Sequence, residues 1–286
     1  MKPKILFYDI ETLPLKAWIW QPGQQYVGHK QLLSSHNMWD LISIQYCWND
    51  GKPAKVLRYD KHGGTKGMIE TFDKLVKESD LTIGKNSDRF DTKMINSLRM
   101  MNGIKGYPEW TQVKDDLEKQ MRRQFRLPSQ SLDYISDVLG FGGKDKMEMS
   151  DWIEISNYRQ LTEIQEDIGT KASNKVAKHL YGEKASYIRK VGKIALNKMC
   201  NYGAKDTEDT RALWYYLEEH FTPNFNMATF TGERISCKRC GSKNLRKNGK
   251  YISAGQTRYQ QWRCNSCHQY AGRTSILVSG NYGKIS

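Results

Sequence analysis

The sequence predicts an α/β fold in which a mixed sheet is flanked by helices, followed by a small cysteine-containing module at the C-terminus. Three observations predict it. Apolar, β-branched segments separated by polar turns open the chain, helical periodicity then takes over, and two CxxC pairs lie close together near the C-terminus. With 286 residues, the chain is long enough to bury a core and to form one or two domains.

The first half of the chain supplies the sheet. Three successive strands are predicted in KILFYDIE, LISIQYCW and AKVLRYD. The next segment predicts a helix because its apolar residues recur at helical spacing: Met68, Ile69, Phe72, Leu75 and Val76. A short strand, LTIG, comes next, and a second helix runs from near Asp91 to Asn102 and Gly103. This order of elements is typical of a mixed sheet covered by helices.

The second half is predicted to be mainly helical. The segment SQSLDYISDVLGFGGK forms a short helix ended by glycines, residues 157–200 are helical and basic, and a final amphipathic helix carries Leu213, Trp214 and Leu217. The proline-containing segment after it is typical of a linker. We therefore divide the chain into a domain over 1–222 with a basic helical insertion at about 157–195, a linker over 223–233, a ribbon over 234–274 and a tail over 275–286.

The charge of the chain is unevenly distributed. The net charge is +14, and no acid follows Glu233, while residues 234–286 carry eleven Lys or Arg. Residues 171–198 carry eight Lys or Arg against one Glu. Two basic patches on an otherwise acidic body indicate a polyanionic partner, and nucleic acid is the first candidate. The alternative is a lysine-rich surface that is merely solvated.

The sequence shows neither a bilayer-spanning apolar run nor a secretory signal. We therefore expect no membrane partner and a cytoplasmic protein, in a bacterial or phage-infected cell. Cys47 and Cys200 stand apart from the other cysteines and are predicted to be ordinary buried thiols.

Four acids and a tyrosine are candidates for a metal site. Asp9 and Glu11 lie two apart at the end of a strand, so both side chains project from one face while Ile10 projects from the other. Such a pair repels unless a divalent cation lies between them, although acids also mark strand ends that enter solvent. Asp91 could be a metal ligand or a helix cap, a role that Asp88 could also fill. Tyr202 and Asp206 lie four apart and share a helix face.

In this order, the motifs DIET, NSDRFD and YGAKD resemble those of the DEDD 3′–5′ exonucleases, which have an RNase H-like fold. Tyr202 stands four residues before Asp206, which is the pattern of the tyrosine (DEDDy) subgroup. The segment LPSQSLDYISDVLGFGGK is similar to one in the proofreading domains of family-B DNA polymerases. The resemblance covers about residues 4–217. One departure is the long stretch from Trp152 to Tyr202, whose basic charge favours a substrate clamp over a partner surface or a mere elaboration.

The resemblance implies a two-metal hydrolysis that releases nucleoside 5′-monophosphates from a 3′ end. One Mg²⁺ or Mn²⁺ would be held by Asp9, Glu11 and Asp206, and a second by Asp9 and Asp91. Tyr202 would orient the attacking water. The nearest rival ligands are Asp209, Asp115 and Asp133, and we expect Asp209 to face solvent.

The cysteines predict a second metal. Cys237 and Cys240 form one CxxC pair, Cys264 and Cys267 form the other, and 23 residues separate the pairs. Four thiolates complete a tetrahedral Zn²⁺ shell, which a cytoplasmic setting favours over two disulfides. His268 is a possible competing ligand. We predict one structural zinc ion.

The segment around these cysteines resembles the zinc ribbons of transposases and other DNA-binding proteins. Between the CxxC pairs, cationic and aromatic residues alternate: Arg246, Lys247, Lys250, Tyr251, Arg258, Tyr259, Trp262 and Arg263. Cations match phosphates and aromatic rings stack on bases, although Tyr259 and Trp262 could instead pack the ribbon, the better interpretation for Trp262.

The sequence thus favours an exonuclease acting on single-stranded DNA, with a replication or repair protein as a possible further partner. Three alternatives remain open: a 3′–5′ exoribonuclease, a catalytically silent nucleic-acid-binding adaptor, and an endonuclease.

Overall fold

The computed structural model describes residues 3–33, 38–106, 112–141, 146–168, 184–221, 225–226, 228–231 and 235–276, together with Lys175, Val176, Lys178, His179 and Gly182. The predicted linker and the basic block at 171–198 lie partly outside these residues. Most of the predicted tail also lies outside them. No helix of the described residues is long and apolar enough to cross a membrane.

The predicted mixed α/β fold is confirmed. The first sheet has the strands β1 (Ile5–Thr12), β2 (Leu41–Trp48), β3 (Lys55–Arg58), β4 (Leu81–Gly84) and β5 (Lys114–Asp116), in the order β3-β2-β1-β4-β5. β2 is antiparallel to β1 and β3, whereas β4 is parallel to β1 and β5 to β4. The sequence predicted β1 to β4; β5 is an additional edge strand that it did not predict.

The helices flank this sheet: α1 (Gly64–Glu78), α2 (Asp91–Met101), α3 (Leu117–Gln124), α4 (Leu132–Val138), α5 (Met149–Ile168) and α6 (Lys184–Leu217). A four-residue helix, α7 (Ala228–Thr231), precedes the ribbon. Two short 3-10 helices cover His29–Gln31 and Glu218–His220. The sequence predicted the basic helical region and the final amphipathic helix as separate elements. Residues 157–168 of the predicted basic region lie instead in α5, whereas residues 184–200 continue into the amphipathic segment as α6, a single helix of 34 residues.

Alternation along β1 divides the core between the two faces of the sheet. Leu6, Tyr8 and Ile10 pack in one cluster with α1, α2 and α5. Ile5 and Phe7 pack in a second cluster with α3, α4 and the C-terminal end of α6. Asp9 and Glu11 continue the row of Ile5 and Phe7, as predicted, because residues two apart on a strand share a face.

The helix α6 contributes to both clusters. Leu196 and Met199 belong to the first cluster, and Leu213 and Trp214 belong to the second. The turns between them, which carry Tyr202 and Asp206, therefore pass from one face of the sheet to the other. This crossing brings the middle of α6 beside the central strands.

The second sheet forms the ribbon. Its strands β6 (Leu245–Ile252), β7 (Arg258–Cys264) and β8 (Tyr270–Ser275) are antiparallel in the order β6-β7-β8. Arg239 attaches the ribbon to the body, because its guanidinium donates to the backbone oxygens of Glu219 at 3.1 Å and Phe221 at 2.8 Å.

Candidate active site

The C-terminal end of β1 carries the first two candidate residues. Asp9 and Glu11 are both partly accessible, while Ile10 between them is buried. The pairing of β1 with β2 shifts register between Glu11 and Thr12. A break in the ladder at this point is a common way to redirect a side chain at the edge of a site.

Asp91 lies at the start of α2 but does not cap the helix. The N-cap position is Phe90, and no side chain provides a cap hydrogen bond there. Instead, the buried Asp91 carboxylate accepts a hydrogen bond from the backbone N–H of Ile10, with 3.0 Å between nitrogen and oxygen. Asp88, the other capping candidate, forms ion pairs with Lys114 and Lys119. The Ile10 bond fixes Asp91 beside the two acids of β1.

Tyr202 and Asp206 lie one helical turn apart on α6. The Tyr202 hydroxyl donates a hydrogen bond to the Asp206 carboxylate. Burial raises the pKa of Tyr202 above its ordinary value of 10, and the nearby charges raise it further: Asp206, Asp133 and Glu11. The tyrosine therefore stays protonated at neutral pH.

The four acids act on one another. Burial raises the pKa of Asp9 well above its ordinary value, and three neighbouring carboxylates raise it further: Asp91, Glu11 and Asp206. Burial also raises the pKa of Asp91 to about 7, and the charge of Asp116 adds to this shift. The structure thus brings together the residues that the sequence singled out at positions 9, 11, 91, 202 and 206.

The carboxylate oxygens are not packed into one tight shell. Among the described residues, one group of three or more acid, Cys or His side chains has all its ligand atoms within 4.8 Å of one another. That group is the four cysteines, and it includes none of the acids. Like-charged carboxylates repel, so the protein alone does not draw them together. A divalent cation favours oxygen ligands and would offset this repulsion.

The three rival acids have other surroundings. The prediction that Asp209 faces solvent is wrong, because its side chain is buried and forms an ion pair with Lys205. Three residues along a helix turn by about 300°, which is about 60° short of a full turn. The Asp209 side chain therefore points in nearly the same inward direction as that of Asp206. Asp115 is also buried, and the Gln120 side chain donates to both of its oxygens, at 3.0 and 2.9 Å. Asp133 lies in the first turn of α4 and acts on Tyr202 through its charge.

Two features of the site were missed from the sequence. Asp116 and Lys85 act on the charge of Asp91, the first raising its pKa and the second lowering it. Gly203 allows α6 to approach β2, since a Cβ at this position would lie 2.7 Å from the buried Gln45 side chain. The sequence carries no pattern that pairs a helical glycine with a glutamine 158 positions away.

A second glycine fixes α6 at another point along its length. A Cβ at Gly192 would meet the Cβ of Tyr158 and lie 2.8 Å from the backbone oxygen of Glu154, both on α5. Arg159 in turn attaches α5 to the sheet, because it donates to the Leu41 oxygen at 2.7 Å. The position of Tyr202 and Asp206 is therefore set by close packing at two points along α6.

The four ribbon cysteines are gathered as a metal site requires. Their sulfurs all lie within 4.8 Å of one another, with 3.8 Å between Cys237 and Cys267 and 3.7 Å between Cys240 and Cys264. A tetrahedral zinc ion with Zn–S bonds of about 2.3 Å separates its sulfurs by about 3.8 Å. The four thiols are free, so the geometry fits one Zn²⁺ ion and not two disulfides.

The other predictions about cysteines and aromatic residues can also be assessed. Burial raises the pKa of Cys47 to about 12 and that of Cys200 to about 11, as expected for inert buried thiols. His268 is not part of the four-sulfur group. Trp262 packs inside the ribbon, as predicted, and its indole N–H donates to the Thr274 hydroxyl at 2.9 Å.

The outer face of the ribbon is basic and aromatic. Tyr251 lies opposite Tyr259, and the guanidinium of Arg273 lies over both rings, 5.7 and 4.6 Å from their centres. Arg246 lies opposite Arg263 on the same pair of strands, and both are exposed. Arg273 was not among the predicted residues, because it lies beyond the second CxxC pair.

Comparisons with known proteins add a distant structural similarity. No known sequence family and no curated protein matches the chain. Among solved structures, the chain is similar to the family B DNA polymerase from the hyperthermophilic archaeon Pyrobaculum calidifontis, with 13% identity and a TM-score of 0.39. The match covers 91% of this chain and 32% of the polymerase, so the chain spans about a third of that protein.

Proposed function

We propose that this protein is a divalent-metal-dependent 3′–5′ exonuclease that shortens single-stranded nucleic acid, preferably DNA, and releases nucleoside 5′-monophosphates. One observation carries the proposal: three carboxylates from β1, α2 and α6 all act on the charge of Asp9. Such a convergence of acids is costly for folding, and a catalytic metal site accounts for that cost. The order of the sequence motifs assigns the reaction class by resemblance.

The residues fit Mg²⁺ or Mn²⁺. Carboxylate oxygens are the ligands that these ions prefer, and the raised pKa of Asp9 reflects a repulsion that a cation would relieve. Asp9, Glu11 and Asp206 would hold one ion, and Asp9 and Asp91 would hold the second. Two bound ions would lower the pKa of an attacking water and stabilise the leaving 3′ oxygen.

Tyr202 has the role of positioning the water in this proposal. Its pKa is raised by burial, so the hydroxyl keeps its proton and is a poor general base. As a donor it already binds Asp206, and a neutral hydroxyl can hydrogen-bond both a ligand carboxylate and a water molecule. We expect Tyr202→Phe to lower kcat with little change in KM.

The test uses single-stranded DNA and RNA labelled at the 3′ or the 5′ end, with Mg²⁺, Mn²⁺ or a chelator. We expect mononucleotides from the 3′ end of DNA in the presence of either metal, and slower shortening of RNA. A circular single strand should resist degradation. Cleavage of the circle would indicate an endonuclease, and faster shortening of RNA an exoribonuclease.

Substitutions connect this activity to the site. Asp9→Ala and Asp206→Ala should each lower the rate by about 10³-fold or more, because each removes a ligand of a metal that supplies several kcal/mol. Glu70→Ala removes an exposed acid on α1 and is the matched control. Full activity in either site variant, with unchanged circular dichroism, would exclude this assignment.

We further propose that the ribbon increases the affinity for the strand. Its outer face presents cations beside two neighbouring tyrosines, a combination suited to phosphates and bases. Deleting residues 234–286 should weaken binding and flatten its salt dependence while leaving the chemistry. Arg246→Ala with Lys247→Ala should lower the salt slope by about 0.7 to 0.9 for each cation that binds a phosphate in the natural protein. Equal binding and salt response in the truncated protein would contradict this role.

A further inference from the structure

The connection between β1 and β2 contains an ordered aromatic loop, residues 13–33. Backbone hydrogen bonds hold its base: Leu13 N–H donates to the Asp40 oxygen at 2.9 Å, and Leu33 N–H to the Lys16 oxygen at 2.8 Å. Ala17 and Leu32 form an isolated antiparallel bridge. These bonds extend the β1/β2 pair outward and present residues 18–28 beyond it.

This loop exposes large aromatic side chains. Trp18 is 71% exposed, Trp20 is 97% exposed and Tyr26 is 92% exposed. Ile19 between the two tryptophans is also exposed. Indole rings are among the largest apolar groups in proteins, and leaving two of them in water gives up the burial that each normally gains. Several large apolar side chains exposed within one short loop are typical of a binding surface.

The charge of the loop selects the kind of partner. Residues 12–39 contain no Asp or Glu, whereas Lys16 and Lys30 are both cationic. A surface with aromatic rings, positive charge and no acid complements a partner that combines flat apolar groups with negative charge. Unpaired bases on a phosphate backbone have this combination.

The position of the loop connects it to the candidate active site. Trp18 follows Glu11 by seven residues and Trp20 by nine, so the chain keeps the Cα atoms of both tryptophans within about 32 Å of the Glu11 Cα. A strand of several nucleotides covers this distance. The rings can therefore contact the strand whose 3′ end lies at the acids of β1.

We propose that Trp18, Trp20 and Tyr26 form a stacking surface for unpaired bases of a bound single strand. That this strand is the one being shortened rests on the proposed exonuclease function. The surface does not discriminate between sequences, because every base has a π-face, and it retains single-stranded substrate while the 3′ end advances. A protein partner on the same surface would need apolar bulk but not flat rings, which separates the two possibilities experimentally.

The test measures binding of a 5′-fluorescein oligothymidylate and of an abasic strand with equal length and charge, by fluorescence anisotropy. Phosphorothioate linkages at the 3′ end prevent shortening during the measurement. One double variant is Trp18→Leu with Trp20→Leu, which keeps apolar bulk and removes the rings. The second is Trp18→Phe with Trp20→Phe, which keeps rings. Met100→Ala changes an exposed apolar residue on α2 and is the control.

We expect the leucine variant to bind the base-bearing strand about tenfold more weakly or worse, since stacking on each ring is worth about 1–3 kcal/mol per base. Its affinity for the abasic strand should stay unchanged. The phenylalanine variant should stay within about threefold of the natural protein, because a smaller ring still stacks. The substituted rings are exposed, so all variants should keep their melting temperature.

Two results would overturn the proposal. Unchanged affinity of the leucine variant for the base-bearing strand would show that the rings do not hold bases. An equal decrease for both strands would show that the rings touch the backbone instead. Because the readout is binding, a protein that holds the strand through these rings but never shortens it would refute the exonuclease function alone.

Discussion

Among the described residues, the four ribbon cysteines and the acids around Asp9 are built in opposite ways. The four sulfurs of the ribbon come from a short segment and lie within 4.8 Å of one another. The buried core around them among the described residues is small: Cys237, Trp262, Cys264 and Ala271. The carboxylates come from β1, α2 and α6, which are far apart in sequence, and they stand on two large apolar clusters.

The two kinds of metal would therefore contribute differently to the protein. A ribbon with so little buried apolar surface depends on its metal for folding free energy. The sheet gains its folding free energy from its own core, which holds the carboxylates near one another against their repulsion. Its metals would then serve chemistry and not folding.

Removing zinc should give the largest difference between the two regions. A structural zinc ion contributes about 10 kcal/mol or more to the folding of a small domain. We therefore expect a zinc chelator or Cys264→Ser to expose residues 235–276 to proteolysis while residues 3–221 stay resistant. Zinc content should fall from one ion per chain, and Cys200→Ser, which alters a buried thiol outside the ribbon, should keep it. A ribbon that resists protease without zinc would show that the ribbon does not depend on a metal for folding.

Gly203→Ala should test whether packing alone places the carboxylate site. The added methyl group would lie 2.7 Å from Gln45, so α6 must shift or the glutamine must move. We expect a loss of about 1–3 kcal/mol in the free energy of unfolding, as for other overpacked cores, together with a lower hydrolysis rate. Thermal melting and the nuclease assay measure the two effects.

The matched control for this change is the double variant Gly203→Ala with Gln45→Ala. Removing the glutamine side chain makes room for the methyl group, so part of the stability and rate should return. If the stability lost in the double variant equals the sum of the losses in the two single variants, the contact between Gly203 and Gln45 does not position α6.

Asp9→Asn should produce the smallest change in stability, with the opposite sign. Burial and three neighbouring acids disfavour the charge of Asp9, so a neutral amide should raise the stability of the metal-free protein by about 1 kcal/mol. The same change should abolish any rise in melting temperature on adding Mg²⁺. Glu70→Gln, on the exposed side of α1, should do neither. A lower melting temperature of the metal-free Asp9→Asn protein would argue that the acid is structural.

The sequence predicted the parts of the fold that local pattern determines. The strands β1 to β4 have apolar or alternating segments, α1 has a regular apolar stripe, and the CxxC spacing predicted the sulfur cluster. The edge strand β5 was missed because its three residues, KDD, are charged. Asp115 and Asp116 are nevertheless buried there, since Gln120 and backbone N–H groups bind their oxygens. Sequence pattern does not reveal such compensation.

The sequence could predict which residues form the candidate site but not how they are arranged in space. Resemblance identified Asp9, Glu11, Asp91, Tyr202 and Asp206, and the structure brings them together. The bond from Ile10 to Asp91 and the burial of Asp209 depend on how α2 and α6 pack against the sheet. Those contacts arise from tertiary structure, which the apolar periodicity of the sequence does not determine.

The two glycines of α6 set a constraint on how the length of this chain can vary. Gly192 meets α5 and Gly203 meets β2, and eleven residues of helix return to within about 20° of the starting direction. One inserted or deleted residue between them would rotate one glycine by about 100° relative to the other and shift it by about 1.5 Å. Related chains should therefore keep this spacing.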